Sequence, residues 1–282
     1  MKELIIILIS FILLCSCTPK KKITQPRYVI TSPEVAEIIA FIDGTHQIVG
    51  VTDECTFPAS LKSIPRVGKF GAIDKEKILN LKPTMVFTSG LEQASLASEL
   101  NKLSIPTYVY YPKTMNDMIN DIREIGEKVD AEKNANALAD SLKEKIEGWK
   151  KDNLGVKRPR VFLEIYHEPL MSVSNQSFVG QVIDLAGGNN IFPMLERDYA
   201  RVKAEDVITR DPNVIISFSE IPVKDIRNRR GWEKIDAVKN NRIYLDEDIN
   251  PDLILRAGPR VMEGVEKLHT LLYGNNAKMN GK

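Results

Sequence analysis

Short runs of β-branched and large apolar residues alternate along the chain with stretches whose apolar positions recur at helical spacing. Tyr28 to Thr31 predicts a strand, and Ser32-Pro33-Glu34 opens a helix whose apolar positions are Val35, Ile38, Ile39 and Ile42 and whose stop is Asp43-Gly44. Gln47 to Thr52 predicts a second strand, Asp53 to Lys62 a loop, and Ile64 to Gly71 a strand-to-loop passage. Strand Met85 to Thr88, helix Leu91 to Leu103 and an edge strand from Ile105 to Tyr111 follow. Thr114 with Asp117 then has the pattern of a capping box, opening a helix through Met118, Ile122 and Ile125. The second half repeats the rhythm: strand Arg160 to Ile165, a loop from Tyr166 to Met171, and a helix capped by Ser177 and stopped by Gly187-Gly188. Strand Val214 to Ser217, a short helix from Trp232, strand Arg242 to Leu245 and a final helix from Arg260 to Leu272 complete it.

One pattern occurs twice. Glu76-Lys-Ile-Leu-Asn-Leu-Lys-Pro83 and Glu205-Asp-Val-Ile-Thr-Arg-Asp-Pro212 each set an acid seven positions before a Pro that is followed by an apolar strand. Each predicts a short helix whose opening carboxylate suits the positive end of the helix dipole and which stops before its Pro. Between the copies, Ala135, Leu138, Ala139, Leu142, Ile146 and Trp149 have helical spacing, with Asp130 as the expected N-cap and Gly155 and Pro159 closing the segment. At about 1.5 Å per residue this rod is long enough to join two lobes across a cleft. The expected architecture is α/β, with mainly parallel sheets in a lobe of residues 27–129, a linking helix over 130–156, and a second lobe of residues 157–273. Ligands of such sheets sit beyond the strand carboxyl ends.

Residues 1–16 stand apart. Lys2 precedes an apolar run from Leu4 to Leu14, shorter than the roughly 20 residues of a membrane span. Leu14-Cys15-Ser16-Cys17 resembles a bacterial lipobox with Cys17 as the lipidated residue; the other reading is an ordinary signal peptide with an incidental Cys. Residues 17–26 then form a solvated tether, and the polar end from Gly274 to Lys282 a disordered tail. Cys55 is the one cysteine left after lipidation, so no disulfide framework is expected and its reading is a small apolar residue. A net charge of +1 over 282 residues does not suggest a nucleic-acid binder.

With these pieces in view, the chain resembles the substrate-binding lipoproteins of ABC importers for cobalamin and ferric siderophores, the helical-backbone metal receptors. Val67-Gly68, Leu81-Lys-Pro83, Ser177-Phe178 through Ala186-Gly187-Gly188-Asn189-Asn190-Ile191-Phe192, Gly231-Trp232 through Lys239, and Arg256-Ala-Gly258-Pro259-Arg260 carry the likeness in shared order. The resemblance implies a class III periplasmic binding protein of two Rossmann-like lobes joined by one rigid helix. It implies a monomer that is lipid-anchored in the cell envelope and captures a metal chelate between its lobes. Glu76 and Glu205 match the acids expected to dock on a permease dimer, which works with its ATPase; the plainer reading of both is dipole complementation.

Loops after strands supply the candidate ligand contacts: Phe57, Phe70, Ser89, Tyr166, His167, Met171, Tyr199 and Arg256, with Glu54 and Asp252 beside them. Phe70 and Tyr199 match aromatic positions of the resembling cobalamin binders, whereas Ser89, Ile165 and Met171 do not. Arg256, with Lys69, Arg66 and Arg201, is expected to receive acidic groups of an iron chelate. Haem is an alternative because Tyr166, His167 and Met171 include axial-ligand types. His46, His167 and His269 are too scattered for a bare-metal site. No nucleophile elbow, phosphate loop or metal-ligand spacing suggests an enzyme, and no permanent cofactor is expected. A surface lipoprotein or adhesin uncoupled from transport is the other class, and it would not need matched acids on both lobes.

Overall fold

Every residue of strand β1 (Tyr28–Ile30) is buried, as a strand covered on both faces requires. The computed structural model describes residues 25–274 apart from Leu154. The expected signal peptide, Cys17, most of the tether and all of the tail beyond Gly274 therefore lie outside the described residues. After β1, helix α1 (Pro33–Phe41) is capped by the Ser32 side chain, which accepts from the Val35 amide. Strand β2 (Ile48–Val51), a small hairpin β3 (Gly68–Lys69) and β4 (Ala72–Ile73), and α2 (Lys75–Asn80) follow. Then come β5 (Met85–Ser89), α3 (Ala94–Lys102), β6 (Thr107–Tyr110), and α4 (Met115–Lys128), which opens on the expected Thr114–Asp117 capping box. The strands pair in the order β2-β1-β5-β6, all parallel.

Beyond the linking helix α5 (Glu132–Asp152) the plan recurs. The second lobe contains β7 (Arg160–Glu164), β8 (Tyr166–His167), β9 (Leu170–Val173), α6 (Phe178–Leu185), β10 (Asn189–Asn190), β11 (Tyr199–Arg201) and α7 (Ala204–Arg210). Next are β12 (Val214–Ser217), α8 (Val223–Arg227), α9 (Asp236–Lys239), β13 (Ile243–Tyr244), α10 (Asp252–Leu255) and α11 (Val261–Tyr273). Its main sheet is also parallel, in the order β10-β7-β12-β13. Leaving the hairpins aside, both sheets place their strands second, first, third, fourth. The sequence repeat is thus a repeat of topology.

Strand alternation sorts the core into layers. Tyr28, Ile30 and Phe87 of the first sheet, and Val161, Leu163, Val214 and Ile216 of the second, all join one central apolar cluster. Val29 and Val86 pack with Ile78 and Leu100 on the outside of the first sheet, and Phe162 and Ile215 with Trp232 on the outside of the second. Ala135, Ala139, Leu142 and Ile146 of α5 belong to the central cluster, so one continuous core runs from lobe to lobe through the linking helix. Its 21 residues span about 32 Å.

Two local expectations change. Asp130 does not cap α5: Ala131 holds that place without a side-chain cap bond, and Asp130 sits at φ 54° in the turn between α4 and α5. Asp tolerates this left-handed conformation better than most residues, so a sharp turn between antiparallel helices claims it first. Tyr166 to Met171 is a β-hairpin instead of a loop, extended by antiparallel β11 into a three-stranded sheet. The hairpin strands are too short to show a period, and β11, which pairs with β9, lies some way down the chain.

Candidate functional site

The carboxyl ends of both parallel sheets point toward the gap between the lobes, and a cavity of about 390 Å³ opens there. The first lobe contributes Glu34, Phe70, Ser89, Glu92, Tyr110, Tyr111 and Pro112. The second contributes Ile165, Phe178, Tyr199, Leu255 and Ala257. Glu34 lies in the first turn of α1, Ser89 ends β5, Tyr110 ends β6, and Ile165 directly follows β7. The walls are aromatic and aliphatic, with a few polar groups, which suits the capture of a largely apolar small molecule.

Phe70 is held from both sides of its backbone. Its amide donates to Glu54 Oε2 at 2.9 Å, and its carbonyl accepts from Gln93 Nε2 at 3.3 Å. Gln93 is itself buried, and its Oε1 accepts from the Thr31 hydroxyl (2.6 Å) and the Ser89 amide (2.9 Å). One carboxamide thus ties the ends of β1 and β5 to the Phe70 loop. Nothing in the sequence separates Gln93 from a solvated residue at a helix start; only its burial reveals it.

The tyrosines stitch the cleft together. Tyr110 donates to the Ala257 carbonyl at 2.5 Å and Tyr111 to Asp198 Oδ2 at 3.2 Å, each across the lobe boundary. Burial pushes the phenols of Tyr110, Tyr111 and Tyr199 above their ordinary range, so they remain neutral donors at physiological pH. Burial also raises the Glu34 carboxyl above the usual carboxylate range, although the Ser32 hydroxyl donates to its Oε2 at 2.7 Å.

The residues singled out from the sequence fall in three groups. Phe70, Ser89 and Tyr199 line the cavity together. Cross-strand partners share a face of the small antiparallel sheet, and Tyr199 thereby shares one with Arg201, Met171 and Tyr166. His167 pairs with Leu170 and lies on the opposite face, so Tyr166, His167 and Met171 do not converge as one ligand set. Phe57 and Arg256 sit in a polar cluster beside the cavity. Buried Glu37 accepts from Arg260 at 2.7 and 2.8 Å and from Arg256 at 3.1 Å. Arg256 also contacts Asp252 (3.0 Å) and the Glu54 carbonyl (3.3 Å), while Arg260 lies over the Phe57 ring at 4.1 Å. Arg66 is likewise occupied, donating to the carbonyls of Thr52, Cys55 and Leu61. Of the basic side chains expected to receive an acidic ligand, Arg256 and Arg66 are committed within the protein.

Glu76 and Glu205 are both exposed, and each is the second residue of its helix. In a parallel α/β lobe the helix starts lie on the same side as the strand carboxyl ends, so both acids stand on the side of the cleft mouth. Among the described residues no cluster of three or more His, Cys, Asp and Glu is arranged to hold a metal ion, and no helix is long and apolar enough to cross a membrane.

A sequence profile described as periplasmic binding protein matches residues 29–249. The chain belongs to the periplasmic binding protein family. This periplasmic binding protein is 26% identical over 263 residues to the uncharacterized ABC transporter substrate-binding lipoprotein YvrC of Bacillus subtilis, covering 90% of the chain and 82% of that relative. It is 23% identical over 242 residues to a vitamin B12-binding protein of Vibrio parahaemolyticus, covering 85% of the chain and 86% of that relative. In fold it matches the periplasmic heme-binding protein RhuT of Roseiflexus sp. RS-1 in apo form, with a TM-score of 0.78 and 19% identity over 89% of the chain and 98% of that structure. The architecture is that of a class III periplasmic binding protein, and relatives of this kind bind solutes and are not enzymes.

Proposed function

We propose that this protein is the extracytoplasmic substrate-binding component of an ABC importer. It captures a metal-chelate nutrient of the cobalamin or ferric-siderophore type in the interlobe cleft and hands it to a permease dimer driven by its ATPase. The observation that carries this reading is the aromatic cavity of about 390 Å³ at the strand carboxyl ends of two lobes with one shared topology. The likeness to a vitamin B12-binding relative supports the ligand class. Phe70, Ser89 and Tyr199 are the contacts at the cavity wall, while Met171 and Tyr166 extend the face that begins at Tyr199. Phe57, His167 and Arg256 stand outside the lining, and Arg256 acts by holding the cleft together. Glu76 and Glu205 dock on the permease, whose two-fold symmetry suits a pair of equivalent acids. Cys17 carries the lipid that keeps the monomer at the membrane. Haem is the second reading, favoured by Tyr166 and Met171, both axial-ligand types, which share the face that begins at Tyr199.

The test is an absorbance titration of the full-length protein, purified in mild detergent, with cobalamin, haem and ferric siderophores while the fluorescence of Trp149 and Trp232 is followed. A saturable shift with one chelate, weakened at least about tenfold by Phe70→Ala or Tyr199→Ala, supports the reading. No response to any chelate overturns it. Glu76→Arg with Glu205→Arg is expected to abolish uptake in cells while leaving affinity unchanged; lost affinity would place those acids in ligand binding instead.

A further inference from the structure

We propose that the cleft selects its chelate by charge, admitting neutral or cationic macrocycles that present amide or other N–H donors and refusing those with free carboxylates, and that Glu34 is the specificity-determining residue. This rests on the reading that the cleft binds a metal chelate, and it sharpens that reading to a class of substrate.

Among the described residues the cavity lining contains two acids, Glu34 and Glu92, and no Lys, Arg or His. Of the cations close by, Arg256 and Arg260 are held by other acids. Glu37, buried behind the cavity, takes Arg260 and Arg256, and Asp252 takes a further bond from Arg256. Glu164, fully buried at the end of β7, is matched by Arg229, Ser217 and Ser219. Glu34 differs from both: its side-chain partner is the Ser32 hydroxyl. Arg256 acts on it only through space while bonded to Glu37, whose own charge opposes that effect.

The physical consequence follows from desolvation and Coulomb's law. A partly buried carboxylate has already lost hydration, and a second carboxylate from the ligand would add repulsion where little solvent screens it. A ligand N–H in the same place would replace the lost water and relieve the penalty. The tyrosines are neutral and cannot compensate an anion as Arg would. A corrin rim of primary amides fits this wall; the propionates of haem and the anionic groups of a catecholate iron complex do not.

The experiment uses two series in which charge changes on one skeleton: cyanocobalamin against its mono- and dicarboxylate derivatives made by amide hydrolysis, and haem against its dimethyl ester. Binding to the full-length protein is measured by Trp quenching. Each added carboxylate is expected to weaken binding about tenfold, and Glu34→Gln is expected to reduce that step to about threefold. Glu34→Asp keeps the charge and should keep the penalty, which separates the charge effect from a general loss of packing. Carboxylate forms that bind as tightly as their neutral parents overturn charge selection while leaving the chelate reading intact. An undiminished penalty in Glu34→Gln overturns the assignment to Glu34. If no member of either series binds the wild type, charge selection among macrocycles fails, while the chelate reading stands or falls with the ferric siderophores.

Discussion

Asp121 shows how one side chain can oppose the fold that contains it. It lies on α4, where the Tyr108 hydroxyl donates to it and to Glu124, both at 3.2 Å. Burial, aided by the charges of Glu124 and Asp117, raises its carboxyl to about 6, and the Tyr108 bond offsets this only in part. A carboxyl raised in the folded state binds protons there that the unfolded chain releases, so its contribution to stability is greatest below its unfolded value and declines as pH rises from about 4 to 6. Partial exposure screens the effect to about 1 kcal/mol. Asp121→Asn, whose carbonyl can still accept from Tyr108, should therefore raise stability at pH 7 by about 1 kcal/mol and do nothing at pH 3.5. Urea titrations at the two pH values measure it, and an equal gain at both would contradict the charge origin. At this scale the sequence disclosed residues with a local task, such as Ser32 and Ser177 as caps. It could not disclose Gln93, whose partners Thr31, Ser89 and Phe70 come from separate segments.

Helix α4 meets the linking helix where Gly126 faces Ala135, and a Cβ added to Gly126 would come within 2.2 Å of the Ala135 Cβ. The linking helix is thus seated against the first lobe by the absence of a side chain. Gly126→Ala should cost about 1–3 kcal/mol by overpacking, despite the better helix propensity of Ala. Gly148, in the same linking helix, meets nothing within 4 Å, and Gly148→Ala should stabilise by about 0.5–1 kcal/mol. Opposite shifts of the urea midpoint for the two variants are the expected result; shifts of the same sign would show that propensity outweighs packing at this seam. Element types were legible wherever periodicity was long or burial two-sided, as in α4, α5 and the longer strands of both parallel sheets. Helices α8 and α10, and the hairpin of β8 and β9, were missed because a handful of residues spans too few periods to show a pattern. The hairpin matters for the site, since it turns His167 away from the face shared by Tyr166, Met171 and Tyr199.

Across the whole molecule, three kinds of contact hold the lobes in one arrangement: the continuous apolar core through α5, the tyrosine bonds at the cleft, and the grip of Glu37 on Arg256 and Arg260. Glu37 belongs to the first lobe and is 2% exposed, while both arginines follow β13 of the second. Removing one partner of a buried ion pair leaves the others desolvated and unmatched, so Glu37→Ala should cost about 3 kcal/mol, near the lower end for buried pairs because the arginines keep some solvent contact. Spin labels on the two lobes should show a broader interlobe distance in that variant. An unchanged melting temperature and an unchanged distance would mean that core and helix alone set the cleft. The two-lobed plan, the internal repeat and the matched acids Glu76 and Glu205 were determined by sequence alone, because periodicity and local repetition encode which segments become helix or strand. The choice among cavity-lining residues was decided only by the tertiary structure. Phe70, Ser89 and Tyr199 meet Glu34 at a common wall, and Arg256 is drawn instead to Glu37, because burial and charge pairing depend on segments brought together by folding and leave no local signature in the chain.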